Sequence, residues 1–322
     1  MYASFKDSHV SYEDYAKRAI ELGHGILSCV EHGFQGNFLR AYEVAEKHGL
    51  KFVFGVEAYW VDDTNDEEHK HPNAHICIFA KNEAGRREIT AALSYAQEFT
   101  FWRVPRLGLD RILMLTPENV FITTACVLYW GRVQRDTNEL EMNPKYRENF
   151  LALREHFGDS IMLEVQAHNT PWQKTVNSII LDLARETGTR LIAGMDSHYI
   201  YPEQAHERRR LREEAGVVIG DDSHELDNGV YEDYPDEETL IQRFKEQGVL
   251  DNSQIHHAIA NTDVFLEFED LHFGREKKLP SLYKDESQEQ RNERYRQLLR
   301  DRWREYRKTT DPKDEQKYLD AI

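Results

Sequence analysis

Acidic, imidazole and thiol side chains recur in this sequence at the ends of short apolar runs, where a β-strand would deliver them to one edge of a sheet. The residues in question are Glu31, His32, Glu57, His75, Cys126, Asp196 and His198. Their types are those that bind divalent transition metals in proteins. Several of them meeting at one place would form a site for more than one cation. Gln166 and His168 follow another run, and we expect them to be supporting or surface groups.

The elements that must position these residues are visible in the hydrophobic pattern. Six apolar runs alternate with segments of helical periodicity, which favours β/α units with parallel strands. The predicted strands are 25–30, 52–57, 75–80, 120–125, 161–166 and 190–195, and the predicted helices are 11–23, 37–48, 83–98, 145–157 and 172–187. So many units favour a barrel over a short open sheet. In an α/β barrel the loops after the strands build the active site.

Composition narrows the class of protein. Among 322 residues, 41 are Lys or Arg and 58 are Asp or Glu, which gives a net charge of −17. That balance argues against a generic nucleic-acid coat or a membrane-surface binder. No apolar stretch approaches the ~18 residues that span a bilayer. Cys29, Cys77 and Cys126 form no CxxC pair, so we expect a reduced, cytoplasmic protein with free thiols.

Five short motifs occur in an order that resembles the PHP (polymerase and histidinol phosphatase) domain. They are Glu31-His32-Gly33, Gly55-Val56-Glu57, the His75 run, Thr124-Ala125-Cys126 and Met195-Asp196-Ser197-His198-Tyr199. Within that superfamily the sequence looks most like the amino-terminal domain of the bacterial replicative DNA polymerase III alpha subunit. The resemblance covers roughly residues 2–283 and implies a distorted (β/α)7 barrel.

Two further segments resemble the polymerase branch of this superfamily. Pro105-Arg106 is similar to a segment of its polymerase members, and Asn261-Thr262 resembles the pair that ends their domain. We therefore predict a barrel domain over residues 1–274 and a charged helical extension over 275–322, leading toward a polymerase palm. Beyond the barrel, apolar side chains at helical spacing form a stripe that would need a partner surface. They are Tyr295, Leu298, Leu299, Trp303 and Tyr306.

The resemblance also implies a set of metal ligands. Asp7, His32 and His198 would hold one cation. Glu57, His75 and Cys126 would hold a second, with Glu57 bridging. Glu57 and Asp196 would contribute to a third. The thiolate suits Zn or a similar metal better than Mg, and Zn, Mn or Fe is the expected cofactor. The implied catalytic residues are Glu57, Asp196 and His198.

The sequence departs from the family pattern at its start. The family's third cation also needs a His-x-His pair at the end of the first strand, and here Tyr2-Ala3-Ser4 follows Met1 directly. We therefore expect a barrel that lacks its first strand and holds two cations rather than three. Unpaired strand edges would remain beside the gap. A mis-assigned start, a fragment boundary and a truly shortened, non-catalytic form all remain open.

In the polymerase members an intact site implies metal-dependent 3′–5′ exonuclease activity. Clustered cations can activate water and clamp both oxygens of a phosphodiester displacement, so no nucleophilic side chain is required. Arg103 and Arg106 are candidate phosphate ligands, with Arg111 as a third, although a solvated basic face is the more common role for any one of them. The implied partners are a polymerase body or other replisome subunits and a single-stranded DNA 3′ end. The chain alone is not expected to polymerise DNA.

Two alternatives lie outside this activity. The first is an inactive interaction module that stabilises a polymerase, which the missing His-x-His pair favours. The second is a stand-alone phosphatase similar to histidinol phosphatase, which the polymerase-like segments at 104–110 and 279–306 disfavour.

Overall fold

The structure, a computed structural model, describes residues 8–64, 73–134, 139–214, 229–274 and 286–308. The chain divides into two compact units, Met1–His272 and Phe273–Ile322. None of the described helices is long and apolar enough to span a membrane. The boundary predicted at residue 274 and the passage toward a palm stay predictions.

Ten strands are described in the first unit. They are β1 (Ile26–His32), β2 (Lys51–Val61), β3 (Ala74–Ala80), β4 (Phe101–Trp102), β5 (Val104–Gly108), β6 (Val120–Thr123), β7 (Gly131–Val133), β8 (Leu140–Met142), β9 (Ile161–Gln166) and β10 (Leu191–Gly194).

Nine α-helices are described in the first unit. They are α1 (Tyr12–Glu21), α2 (Phe38–His48), α3 (Glu83–Phe99), α4 (Leu109–Ile112), α5 (Tyr146–Phe157), α6 (Pro171–Thr187), α7 (Ala205–Glu214), α8 (Glu237–Gln247) and α9 (Asn252–Ala260). Several begin at caps that the sequence carries. Ser11 accepts from the backbone N–H of Asp14 in a capping box, and Thr170 precedes a proline at the first position of α6. The second unit contains α10 (Gln288–Tyr306).

Eight strands form one mixed sheet in the order β10-β9-β6-β3-β2-β5-β4, with β1 also paired to β2. The sheet curls into a half barrel with helices packed on it, which confirms the predicted α/β distorted-barrel class. β1 pairs along Lys51–Glu57 of β2, and β5 pairs farther along, at Tyr59–Val61. Among the described residues, β1 pairs with β2 alone and β10 with β9 alone. The absence of a first strand concerns residues before Ser8 and stays a prediction.

The prediction of uniformly parallel strands is wrong for β3, which runs antiparallel to both β2 and β6. Trp60 near the end of β2 lies opposite Ala74 at the start of β3. The chain therefore returns at the same end of the sheet, whereas a parallel partner would need a crossover to the opposite end. This reversal explains why His75 opens its run although the other candidate ligands close theirs.

Alternate residues of the strands point into the half barrel, as the two-residue period of a strand requires. At its base they form an apolar layer that Phe268 completes. The members of this layer are Val53, Phe79, Phe121, Met162, Ile192 and Phe268. Burying each large apolar side chain contributes about 1.5–3 kcal/mol. Two residues farther along β6 and β9, Thr123 and Glu164 place polar side chains beside this apolar layer, in the wall of a cavity.

Candidate metal centre

A cavity of about 400 Å³ opens above the apolar layer. Its walls come from β1, β2, β3, β6, β9 and the loop that follows β10. The polar residues that line it include Ser8, His32, Glu57, Thr123, Cys126, Glu164, Gln166, Asp196 and His198. Candidate ligands that lie far apart in the sequence therefore share one cavity.

Glu57 is the centre of this group. The register of β1 on β2 places His32 opposite Glu57, and that of β3 places His75 opposite Tyr59, two residues farther along β2. Glu57 Oε1 lies 2.6 Å from His75 Nδ1, and its Oε2 lies 3.2 Å from His32 Nδ1. The ligand atoms that His32, Glu57 and His75 offer lie within 4.8 Å of one another, close enough to share a cation. β2 continues to Val61, so the prediction that the strand ends at Glu57 is wrong.

Cys126 joins the same group from the loop after β6. Its Sγ lies 3.8 Å from Glu57 Oε1 and 3.4 Å from His75 Nδ1. The preceding residue, Ala125, has a left-handed backbone with φ 48°, a conformation that residues with a Cβ rarely adopt and that turns the chain here. Burial and the nearby Glu57 charge raise the pKa of the Cys126 thiol well above its usual range. A cation would therefore have to displace a proton from this thiol.

Asp196 and His198 occupy the loop after β10. Asp196 also has a left-handed backbone, with φ 48°. His198 Nδ1 lies 2.8 Å from the Asp196 carbonyl oxygen. Because that carbonyl can only accept, the proton lies on Nδ1 and Nε2 is the nitrogen that could bind a cation. The rings of His198 and His32 lie 6.4 Å apart, centre to centre. Asp7, the remaining predicted ligand, lies outside the described residues.

The electrostatics favour a charged Glu57. Burial raises the pKa of this carboxyl, but His75 and His32 lower it by more, through charge and, for His75, a hydrogen bond. The resulting pKa is about 2. Glu57 is 7% exposed and stays ionised at neutral pH, as a bridging metal ligand must be.

Arg103 and Arg106 flank one indole ring rather than the cavity itself. The Arg103 guanidinium lies 4.5 Å and that of Arg106 5.5 Å from the centre of the Trp102 ring. Arg103 is exposed, with φ 62°, whereas Arg106 is 2% exposed. The β4–β5 hairpin that carries them borders the centre, because a Cβ on Gly33 would lie 3.2 Å from Pro105 Cγ. Their role toward phosphate stays a prediction.

Glu164 is a cavity residue that the sequence analysis missed. Its carboxylate accepts hydrogen bonds from Thr123 Oγ1 at 2.6 Å and from Gln166 Nε2 at 3.0 Å. A Cβ on Gly194 would lie 1.9 Å from Glu164 Oε1, so the carboxylate fills the space that this glycine leaves. Its position as a charged residue inside the apolar run 161–166 is the sequence feature that could have identified it. The expectation for Gln166 is refined, since its 2% exposed side chain supports Glu164.

The two polar residues that end β1 have different partners. Both line the cavity, but Glu31 is buried and is held by residues of the neighbouring helices, whereas His32 lies beside Glu57. Glu31 accepts hydrogen bonds from Tyr12 of α1 at 3.1 Å and from Asn37, the residue before α2, at 2.8 Å. Glu31 therefore joins both helices to the strand that carries His32.

His168, which we expected to be a supporting or surface group, is 6% exposed and accepts a hydrogen bond from the Tyr231 N–H.

Comparison with known proteins places these features in a family. The family model of the PHP domain matches residues 2–168, about half of the chain. DNA polymerase III subunit alpha of Aquifex aeolicus is 24% identical over 238 residues, which cover 70% of this chain and 20% of that protein. The Helicobacter pylori subunit is 29% identical over 199 residues, which cover 59% and 16%. The chain spans about a fifth or less of the length of these relatives.

A similar solved structure is described as that of a candidate metal-dependent phosphoesterase from Bifidobacterium adolescentis. It is 16% identical to this chain and superimposes with a TM-score of 0.43. The match covers 60% of this chain and 84% of that one.

Proposed function

The chain belongs to the PHP domain family, and from this premise we propose that it is a metal-dependent phosphodiesterase. The observation that carries the proposal is the meeting of Glu57, His32, His75 and Cys126 in one group, in which Glu57 and His75 are buried. The proposed substrate is the 3′ end of single-stranded DNA. The proposed setting is the cytoplasm, beside a polymerase body or other replisome subunits.

The residues present fit a borderline transition metal. Imidazole nitrogen, carboxylate oxygen and thiolate sulfur together favour Zn, Mn or Fe over Mg or Ca. Glu57, His75 and Cys126 would hold one cation. His32 and His198 would hold a second, together with Asp7, and Asp196 would be a further oxygen ligand. Two cations per chain are proposed.

Once bound, cations would supply charge for the phosphate oxygens and acidify water at the site. The side chains of the protein would hold the cations, orient water and bind phosphate. The ionised Glu57 links the two ligand groups, because its oxygens face His75 and His32 separately. Asp196 would orient water and accept its proton through a carboxylate oxygen, while His198 would hold a cation through Nε2. Arg103, exposed beside the Trp102 ring, is the more accessible of the two proposed phosphate ligands.

The test combines metal content with cleavage. Purified chain is loaded with Mn or Zn, its metal is counted by mass spectrometry, and labelled single-stranded DNA is followed over time. Glu57→Gln keeps the shape of the side chain and should lower metal affinity by at least about 100-fold. Glu186→Gln, on an exposed residue, is the matched control. Less than one metal per parent chain, with uncut DNA, would end the proposal.

An interaction module remains the second candidate because of α10. Tyr295 and Leu298 on this helix are 62% and 57% exposed, which suits a partner surface better than solvent. Thermal melting separates the two candidates. A cation that binds the native state must raise the melting temperature, whereas a module without a metal site would melt at the same temperature with or without it. Hydrolysis of histidinol phosphate in place of DNA would favour a small-molecule phosphatase.

A further inference from the structure

A short segment outside the cavity clamps the loop that carries His198. We call residues 229–235 the strap. The His198 N–H donates to the Glu232 carbonyl at 2.8 Å, and the Tyr234 N–H donates to the Ile200 carbonyl at 3.1 Å. Ser197 Oγ donates to the Asp233 carbonyl at 2.8 Å. The strap therefore pairs with the loop much as a neighbouring strand would.

Two arginines, Arg208, which is buried, and Arg243, which is half-buried, anchor the strap. Arg208 of α7 is 3% exposed and pairs with the Glu232 carboxylate. Arg243 of α8 holds Asp233 with two hydrogen bonds, of 2.7 and 2.9 Å. Arg208 belongs to a basic run in the sequence, Arg208-Arg209-Arg210. Its neighbours Arg209 and Arg210 instead pair with glutamates one turn along the same helix. Arg208 thus turns inward, although its sequence context is that of a solvated basic face.

The Arg208–Glu232 pair lies directly behind the His198 ring. Glu232 Oε1 is 3.8 Å from His198 Nδ1, on the ring edge whose proton goes to the Asp196 carbonyl. Outer groups of this kind fix the orientation and the tautomer of a ligating imidazole. Asp196 has a left-handed backbone, which is strained and persists only where the surrounding structure holds it.

We propose that Arg208 is a positioning residue for the metal centre. By fixing Glu232 and the strap, it holds His198 with Nδ1 on the Asp196 carbonyl, so that Nε2 is the nitrogen that would bind a cation. The inference rests on the proposed function for its metal, but the placement of the ring is a property of the protein alone. It can therefore be tested with and without metal.

The first test uses the metal-free protein. Long-range ¹H–¹⁵N NMR of the full chain, with His198→Ala for assignment, reports which ring nitrogen carries the proton. The parent should show His198 protonated on Nδ1. Arg208→Met and Glu232→Gln should each shift the ring toward a mixture of tautomers. Arg147→Met removes an exposed ion pair on α5 and should change nothing. An unchanged His198 tautomer in both the Arg208→Met and the Glu232→Gln proteins would overturn the inference even if the protein binds metal.

The second test uses Zn affinity, measured by competition with a chelator on folded protein. Arg208→Met should weaken binding by about 10- to 100-fold. In a His198→Ala background the same substitution should not lower Zn affinity further, because Arg208 affects the metal only through His198. Glu232→Gln repeats the comparison if Arg208→Met does not fold. An equal loss in both backgrounds would mean that Arg208 only stabilises the fold. A parent that binds no Zn refutes the proposed function and leaves the tautomer result to decide the inference.

Discussion

At the scale of single residues, two neighbouring carboxylates have opposite electrostatic surroundings. Glu57 faces imidazoles, which hold its pKa at about 2. For Glu164, burial raises the pKa to about 7. Hydrogen bonds from Thr123 and Gln166 offset part of the rise, and the charges of Asp196 and Glu57 add to it. One carboxylate is thus ready to bind a cation, while the other holds a proton close to neutral pH.

Glu164 predicts a pH dependence of stability in the metal-free protein. Its folded-state pKa of about 7 lies above the ordinary value of 4.5, so the folded state binds more protons and its stability falls as pH rises between these values. Glu164→Gln has no titrating carboxyl at this position, so its stability should not show this fall with rising pH. Relative to the parent, the variant should gain about 1–3 kcal/mol between pH 5 and pH 8 in urea unfolding with a chelator present. A stability difference that is equal at both pH values would contradict the assignment.

At the scale of elements, the sequence predicts which segments form strands and helices better than how they run. Capping residues and hydrophobic period locate α1, α2, α3, α5 and α6 within about two residues of their observed ends. Strand direction is not encoded in local period, so the reversal of β3 could not be predicted that way. The β4–β5 hairpin was missed because its strands are short and contain Pro105. The meeting of His32, Glu57 and His75 depends on register, which only the folded sheet supplies.

Gly55 tests how far the centre depends on the β2–β3 pairing. A Cβ there would lie 2.8 Å from the Phe79 ring and 3.2 Å from the Ile78 carbonyl. Gly55→Ala should push β3 away, destabilise the fold by about 1–3 kcal/mol and weaken metal binding through His75. Gly25→Ala is the matched control, because its Cβ would meet nothing within 4 Å. Chemical unfolding and metal titration give the two readouts. If the Gly55→Ala protein binds metal as tightly as the parent, metal binding does not depend on the pairing of β2 with β3.

At the scale of the whole molecule, the charge of −17 limits how nucleic acid can bind. Affinity for a single strand depends on counterion release, with a slope of log K against log salt of roughly −0.7 per phosphate contacted. If Arg103 and Arg106 are the phosphate ligands, the slope should be no steeper than about −1.4. Arg103→Ala should reduce it, and fluorescence anisotropy at several salt concentrations measures both. A slope several-fold steeper would reveal a basic surface that the account does not include.

The central claim is that Glu57, His32, His75 and Cys126 bind one or more cations together. Anomalous diffraction at the Zn absorption edge, from crystals of the Zn-loaded chain, tests it most directly. We predict a peak within about 2.0–2.3 Å of a Glu57 oxygen, a His75 nitrogen and Cys126 Sγ. Loaded crystals with no peak in this cavity, or with Zn bound elsewhere on the chain, would contradict the account.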